Sequence, residues 1–531
     1  EAMKDYHHPA WGTKQPGFFF WEQPLLGYYK TTDPWVLRKH AEMLADAGVD
    51  AVFFDCTNGS LTWQDSYEAL LKTWDQAQKD GVNVPKIAFM LPFGPAPHSL
   101  VSLRQLYNDL YKPGRYENLW FVWKGKPCIM AYPDNLTDSP TDRAIADFFT
   151  FRPGQPDYVD GPTRNDQWGW LEVYPQHGYV KSPDGDFEQV AVGIAQNTSP
   201  DRKGHCGAFN VKDAYGRNFS VRNGFDPRVD GYLYGWNFDE QWERAYELDP
   251  ELVFVTGWNE WTAMRFVNPG GIHKVGEYDC KKGDSYFVDL FNHEFSRDIE
   301  PLRGDFGDNY YYQLCDFIRR YKGVEPIEVH SDIHRIDPGD MTTWQQVKAV
   351  YADDRGDTFH RNHIGYGRIG QLINTTGRND IVEAKMANDG KTLWFYVRTD
   401  RPITPCTDPK WMRLFIDVKG SGLPDWEGFQ YAVGNPAADG SKTALSRSRN
   451  GWNWEKIADL DYRVSDNEMV VAVPFAAIGV KNPKNFTVDF KWIDNAVDQG
   501  DIQQCLSDGD AAPNGRFRYR YIFEQQPDKT R

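Results

Sequence analysis

The character of this chain changes after residues 322–326, and from about Trp344 helical periodicity gives way to alternation, which bounds what it can fold into. Upstream, short apolar runs are separated by stretches whose apolar residues recur at helical spacing. Downstream, apolar and polar residues alternate. The first pattern belongs to strand–helix units built on a parallel sheet, the second to antiparallel strands with one buried face. Phe18-Phe19-Phe20-Trp21 reads as an opening strand. Asp33 and Pro34 then supply a helix cap and first-turn residue. Val36, Leu37, His40, Met43 and Leu44 follow at helical spacing, and Gly48 stops the helix. Residues 49–55 read as a buried strand, 67–79 as a helix closed by Gly81, 86–91 as a strand and 100–111 as a helix. Further strands are predicted at 127–132, 147–152, 169–174, 189–196 and 252–257, with a helix over 239–248. Eight such strands predict an α/β fold, a (β/α)8 TIM-like barrel over residues 1–322, with a doubly wound open sheet as the structural alternative. A linker is predicted over 323–340. The alternating runs at 392–397, 413–418, 469–473 and 487–492 then predict an antiparallel β-sandwich over 341–531. Two domains are also the default for 531 residues.

Charge and composition narrow the function. The chain carries 59 Lys plus Arg against 76 Asp plus Glu, a formal charge of −17. Nucleic-acid binding needs a basic footprint, so this balance excludes it, and it also argues against anionic membrane surfaces. The longest apolar stretch, near 470–480, falls short of the ~18 residues of a membrane helix. Aromatic residues make up 15%, with 20 Trp, 28 Tyr and 32 Phe, more than a core needs. Flat aromatic faces stack on the C–H faces of pyranose rings, so the expected partner is a glycan and the default state a monomer. Seven cysteines show no C-x-x-C and no zinc spacing. The start at Glu1 is read either as a mature chain whose signal peptide has been removed or as a trimmed chain, and the first reading carries the expectation of a secreted, periplasmic or cell-surface bacterial protein.

A barrel places its chemistry at the carboxyl ends of its strands. The polar residues there include Trp21, Asp55, His98, Glu172, Tyr174, Gln176, His177, Asn197, Trp258, Asn259, Glu260 and Trp261. This rim is rich in carboxylates, amides and aromatics and poor in cations, the set that glycoside hydrolysis uses. Glu260 stands between Trp258 and Trp261 just past an apolar strand, where a carboxylate must be paired or have a raised pKa. Asp55 ends the run Val52-Phe53-Phe54. Strand alternation is expected to place Trp170, Glu172 and Tyr174 on one face, with Glu172 aimed into the mouth. Glu260, Glu172 and Asp55 are therefore the catalytic candidates. Trp258, Asn259, Trp261, Trp21, Trp170, Tyr174, Gln176, His177, His98 and Asn197 are the substrate-binding candidates. The chemistry requires no cofactor and no metal at the site. The acidic loop 498–510 is the one place where a structural calcium ion is considered, in the C-terminal domain. Gly365–Gly370 fits G-x-G-x-x-G, but no helix is expected after it.

The segment Trp258-Asn259-Glu260-Trp261 resembles the N-E-W segment of the endo-α-mannosidase family, glycoside hydrolase family 99, and of related barrel proteins linked to polysaccharide synthesis. The resemblance implies an active-site carboxylate at Glu260. In that family a second Glu follows three residues later; here that position is Ala263. Neighbouring-group attack by a sugar hydroxyl is a route that the family would imply. The C-terminal half resembles family 9 carbohydrate-binding modules and DOMON-like domains through Trp426-Glu427-Gly428-Phe429 and Gly515-Arg516-Phe517-Arg518-Tyr519. The leading expectation is a glycoside hydrolase. The alternatives are a non-catalytic glycan-binding protein and a polysaccharide lyase, for which Arg152, Arg164 and Arg265 would supply the cations.

Overall fold

The structure, a computed structural model, describes residues 9, 17–268, 273–275, 278–496 and 500–525. The chain forms two compact units: Glu1–Tyr28, Ala47–Leu71 and Pro85–Gly323 in the first, and Tyr29–Asp46, Lys72–Val84 and Val324–Arg531 in the second. The last segment of the second unit begins at Val324. Residues 29–46 and 72–84, expected in the first domain, group instead with the second unit. Buried ion pairs account for this. Lys39 Nζ lies 2.9 Å from Asp357, and Arg361 Nε lies 2.7 Å from Asp33.

In the first unit the parallel ladders run Ala51–Asp55 with Lys86–Met90, Lys126–Ile129 with Thr150–Phe151, Gly154–Gln155 with Trp168–Gly169, and Phe187–Gly193 with Leu252–Thr256. Parallel bridges at Ile87–Trp120 and Met90–Met130 carry the first ladder toward the second. Side chains from these strands meet in one core containing Met90, Cys128, Met130, Trp168, Tyr179 and Phe254. Phe53, from the strand ending in Asp55, lies 5.2 Å from Phe254 and 6.1 Å from Trp168. Early and late strands therefore face one interior.

The ladders depart from eight uniform strands in three places. Gly17–Phe20 pairs antiparallel with Thr262–Val267, not in a parallel ladder. Ser139 caps the helix Pro140–Phe148 by accepting from Asp142 N at 3.2 Å, with Pro140 at the start, so the strand predicted from 147 is only Thr150–Phe151. The strand predicted over 169–174 ends at Gly169. Among the described residues, a closed eight-strand ladder is not formed.

The second unit holds two largely antiparallel sheets. One runs from Trp454–Leu460 through Thr443–Ser448, Tyr431–Gly434, Arg413–Val418, Asn485–Asp494 and Tyr519–Glu524 to Val329–His330, and Asp510–Ala512 also pairs with Asn485–Asp494. The other orders Val350–Ala352, Ile381–Asn388, Thr392–Thr399, Glu468–Pro474 and Tyr462–Ser465. Leu414 and Ile416 of the first sheet share a core with Phe395 and Val397 of the second. The Phe395 and Phe490 rings meet at 5.5 Å. Gly365–Gly370 lies in the hairpin between Arg361–Ile364 and Gln371–Asn374, and no helix follows it. Trp426 and Phe429 close a tight turn, with positive φ at Glu427 and Gly428, and both are buried in a satellite core. In the acidic loop, Asp498 lies outside the described residues. Asp501 accepts from Gln503 N at 3.0 Å and Asp508 from Asn374 Nδ2 at 3.1 Å, so these two carboxylates serve the local backbone and a neighbouring side chain.

Candidate active site

Glu260 follows the parallel strand Leu252–Thr256, and Asp55 ends the parallel strand Ala51–Asp55. Both carboxylates are solvent-accessible. The Asp55 charge acts on Glu260, so these two strand ends lie near each other.

The backbone after the last parallel strand is fixed by close approach. Gly257 has a φ of +107°, and a Cβ there would lie 2.1 Å from the Arg297 carbonyl oxygen. Only glycine fits both the conformation and the space. Replacing Gly257 by Ala is expected to cost roughly 3 kcal/mol or more in an equilibrium denaturation experiment. A change below about 1 kcal/mol would contradict this packing.

That contact brings the segment 289–300 against Glu260. Asp298 Oδ1 accepts from Glu260 N at 2.7 Å, and Glu300 N donates to Trp258 O at 2.9 Å. Glu300 Oε2 accepts from Trp261 Nε1 at 2.7 Å. Arg297 is buried, and its Nη2 lies 3.2 Å from Asp289. Its guanidinium sits 5.8 Å from the Trp170 ring and 5.5 Å from the Phe209 ring. Arg217 is fully buried and donates to Asp298 O at 2.7 Å and Ser296 Oγ at 2.9 Å.

The electrostatics follow from this arrangement. The Glu260 side chain is reached by solvent yet crowded by protein, and this incomplete solvation disfavours its charged form. Asp289 adds repulsion, Arg297 opposes it, and Asp298 and Asp55 repel further. The net result is a pKa well above the usual carboxylate range. Burial likewise raises Asp298, to about 6, against the hydrogen bond from Glu260 N and the charges of Arg217 and Arg297. Burial would lower Arg297, but Asp289, Tyr158, Glu260 and Asp298 more than offset it and raise its pKa. The site thus combines an accessible carboxyl of raised pKa with further carboxylates and two buried cations, Arg297 and Arg217, the separation of roles on which acid–base chemistry depends.

The other sequence-predicted residues divide into three groups. Trp258 and Asn259 flank Glu260 and are half-buried, with Trp258 6.4 Å from Tyr311. Trp170 stacks on Phe93 at 5.2 Å beside Arg297. These three line the region of Glu260. Trp21 and Trp261 are buried and stack on each other at 4.9 Å, and Trp21 Nε1 donates to Glu260 O at 3.0 Å. They support the loop and present no open face for a sugar. Asn197 is buried and accepts from Tyr158 OH at 2.7 Å, and Gln176 is buried between Ala191 O and Gln241 O. Tyr174 meets Arg222, whose Nη2 donates to its hydroxyl at 3.2 Å. His98 is exposed in the first turn of the helix Pro97–Leu106.

Glu172 differs from its expectation. It is fully buried and accepts from His177 N at 3.0 Å and Tyr179 OH at 2.8 Å, with His177 Nδ1 also at 3.0 Å. These bonds close a turn where a strand was expected, so alternation does not aim the carboxylate into the mouth. Burial raises its pKa, and the same hydrogen bonds hold it back. Glu172→Gln is expected to lower stability by about 1–3 kcal/mol, because buried partners lose geometry. kcat/KM should be unchanged. A large rate loss at intact stability would return Glu172 to the catalytic set.

Asp289, Arg297 and Asp298 escaped the strand-end reading. They lie in a stretch without regular secondary structure, and the sequence offers only the charged residues Glu294, Arg297 and Asp298 around Phe295 and Ser296 as a signal. Ala263, where the resembled family carries its second Glu, is buried in the strand Thr262–Val267 opposite Phe19.

Comparison with known protein families finds no match, and none is found among curated proteins. Among solved structures, the chain is similar to a family 99 endo-α-mannosidase from Bacteroides thetaiotaomicron in complex with bis-tris-propane, at 16% identity over 57% of this chain and 89% of that one, with a TM-score of 0.34. A second structure of a family 99 endo-α-mannosidase from that organism aligns at 15% identity over 57% and 84%, with a TM-score of 0.32. The apo structure of Bacteroides uniformis β-glucuronidase 3 aligns at 10% identity over 90% of this chain and 63% of that one, with a TM-score of 0.25.

Proposed function

We propose that the first unit is a barrel-type glycoside hydrolase domain in which Glu260 is the proton donor. One observation carries this reading: an accessible carboxyl whose pKa is raised by lost solvation and by Asp289, Asp298 and Asp55, at the carboxyl end of a parallel strand. In the reaction, Glu260 protonates the glycosidic oxygen as the bond to the anomeric carbon breaks. Asp55 either takes a proton from the water that attacks that carbon or attacks it directly. Carboxyl groups ~5–5.5 Å apart give retention and ~6.5–9.5 Å inversion. Trp170 and Trp258 are proposed as sugar-stacking surfaces, and Asn259 as a hydroxyl partner. The partner is a glycan, and the setting is the outside of a bacterial cell. The second unit is proposed as an accessory, carbohydrate-binding-type domain.

The test is a screen of purified protein against plant, algal, bacterial and host polysaccharides, with products resolved by chromatography and mass detection. New saccharides from the wild type support the reading, and their size distinguishes endo from exo action. The buried Ala263 favours a second reading, a non-catalytic glycan-binding protein. Retention of one glycan without any product would select it.

A further inference from the structure

Three aspartates from separate segments of the second unit converge in its interior. Asp357 lies in the loop after Val350–Ala352, Asp380 directly precedes Ile381–Asn388, and Asp510 opens Asp510–Ala512. One carboxylate oxygen of each lies within 4.8 Å of the other two. Oxygens this close can share one calcium ion at about 2.3–2.6 Å, and a cage of protein carboxylates suits calcium better than magnesium, which keeps several of its waters.

The three carboxylates are anchored through one oxygen each. Asp357 Oδ2 lies 2.9 Å from Lys39 Nζ, Asp380 Oδ2 accepts from Gly356 N at 2.8 Å, and Asp510 Oδ2 accepts from Ile381 N at 2.5 Å. The Oδ1 atoms of all three are buried and have no hydrogen-bond partner. Asp357 and Asp510 are each only 3% exposed. Interior carboxylate oxygens are normally paired or bound to a cation.

Protein charge does not balance the cluster. Glu42, Asp353 and Asp354 add negative charge beside Asp357 or Asp510, against Arg38 and Lys39. Lys39 divides its charge between Asp357 and Glu42, which lies at 3.2 Å, and Arg38 is committed to Glu42 and Asp80.

We propose that the second unit binds a divalent cation of calcium size between the Oδ1 atoms of Asp357, Asp380 and Asp510. The ion joins a loop and the starts of two strands from different sheets, and so acts as a structural cross-link. This inference is independent of the reading of the first unit.

The test uses the full chain, stripped with EDTA and dialysed. Titration with calcium chloride should give a saturable heat at one equivalent. Saturating calcium should raise the melting temperature by roughly 5–10 °C. Magnesium chloride at matched ionic strength should shift it less. Asp380, half-buried, is the site least dangerous to folding, and Asp380→Asn should weaken calcium binding at least tenfold. Asp357→Asn and Asp510→Asn should abolish the calcium response while melting at or above the stripped wild type, since each removes a repelling charge. The proposal is overturned if calcium produces no heat and no shift beyond a sodium chloride control, or if Asp380→Asn binds calcium as the wild type does.

Discussion

Replacing Glu260 by Gln is expected to lower kcat/KM by roughly a thousandfold or more on any substrate that the wild type cleaves. Gln keeps the shape and the backbone hydrogen bond to Asp298, but it has no acid proton to give to the leaving oxygen. The fold should survive. The raised pKa of Glu260 means that the folded state holds this proton more tightly than the unfolded chain does. A carboxyl raised on folding contributes stability that is complete below its unfolded pKa and is lost as pH rises through the folded value. The neutral amide escapes that loss. The variant should therefore match the wild type at acid pH and equal or exceed it toward neutrality, as followed by denaturant unfolding across pH. For the wild type, kcat/KM should fall on the alkaline side with a pKa above the ordinary carboxylate range. An active Glu260→Gln enzyme would remove the donor from the account.

The second large effect belongs to Asp55. Asp55→Asn is expected to reduce kcat/KM by roughly 10²–10⁴-fold, through loss of the base or nucleophile. Two further readouts separate this from a structural role. Asp55 is one of the charges that raise Glu260, so its removal should move the alkaline limb to lower pH. With an activated aryl glycoside, added azide should restore turnover and appear in the product as a glycosyl azide. Thr57 donates to Asp55 from both its backbone N, at 2.9 Å, and its hydroxyl, at 2.7 Å. Asn retains one acceptor for these bonds, and the loop should hold. If Asp55→Asn is fully active while Asp289→Asn is not, the role passes to Asp289, the carboxylate paired with Arg297.

What could be read in advance was what local physics decides. Asp33 and Pro34 announced the helix Pro34–Ala47, and Asp33 Oδ1 does accept from Trp35 N, at 3.1 Å. Gly48, with φ +81°, follows the helix where a stop was expected. Strands long enough to show a run, such as Ala51–Asp55 and Leu252–Thr256, were visible, and with them Asp55 and Glu260 at their ends. Alternation failed at 170–174 because hydrogen bonds to the Glu172 carboxylate hold a turn, and a period-two pattern is indifferent to that. The grouping of the helix Pro34–Ala47 with the later unit depends on ion pairs to residues more than 300 positions away, such as Asp33 with Arg361. No window of sequence displays such a pair. The surroundings of Glu260 were hidden for the same reason. Arg297 and Asp298 reach it because Gly257 admits the Arg297 backbone. The aspartate cluster draws on three segments of which the acidic loop supplied only Asp510.

The most direct test of the central claim is digestion of a responsive glycan in heavy-oxygen water. Hydrolysis with Glu260 as donor predicts products that carry one heavy oxygen at each new reducing end, formed by the wild type and absent with Glu260→Gln. Products without the label and with ultraviolet absorbance from a new double bond would identify elimination instead, and a glycan that is bound but never cleaved would contradict the claim outright.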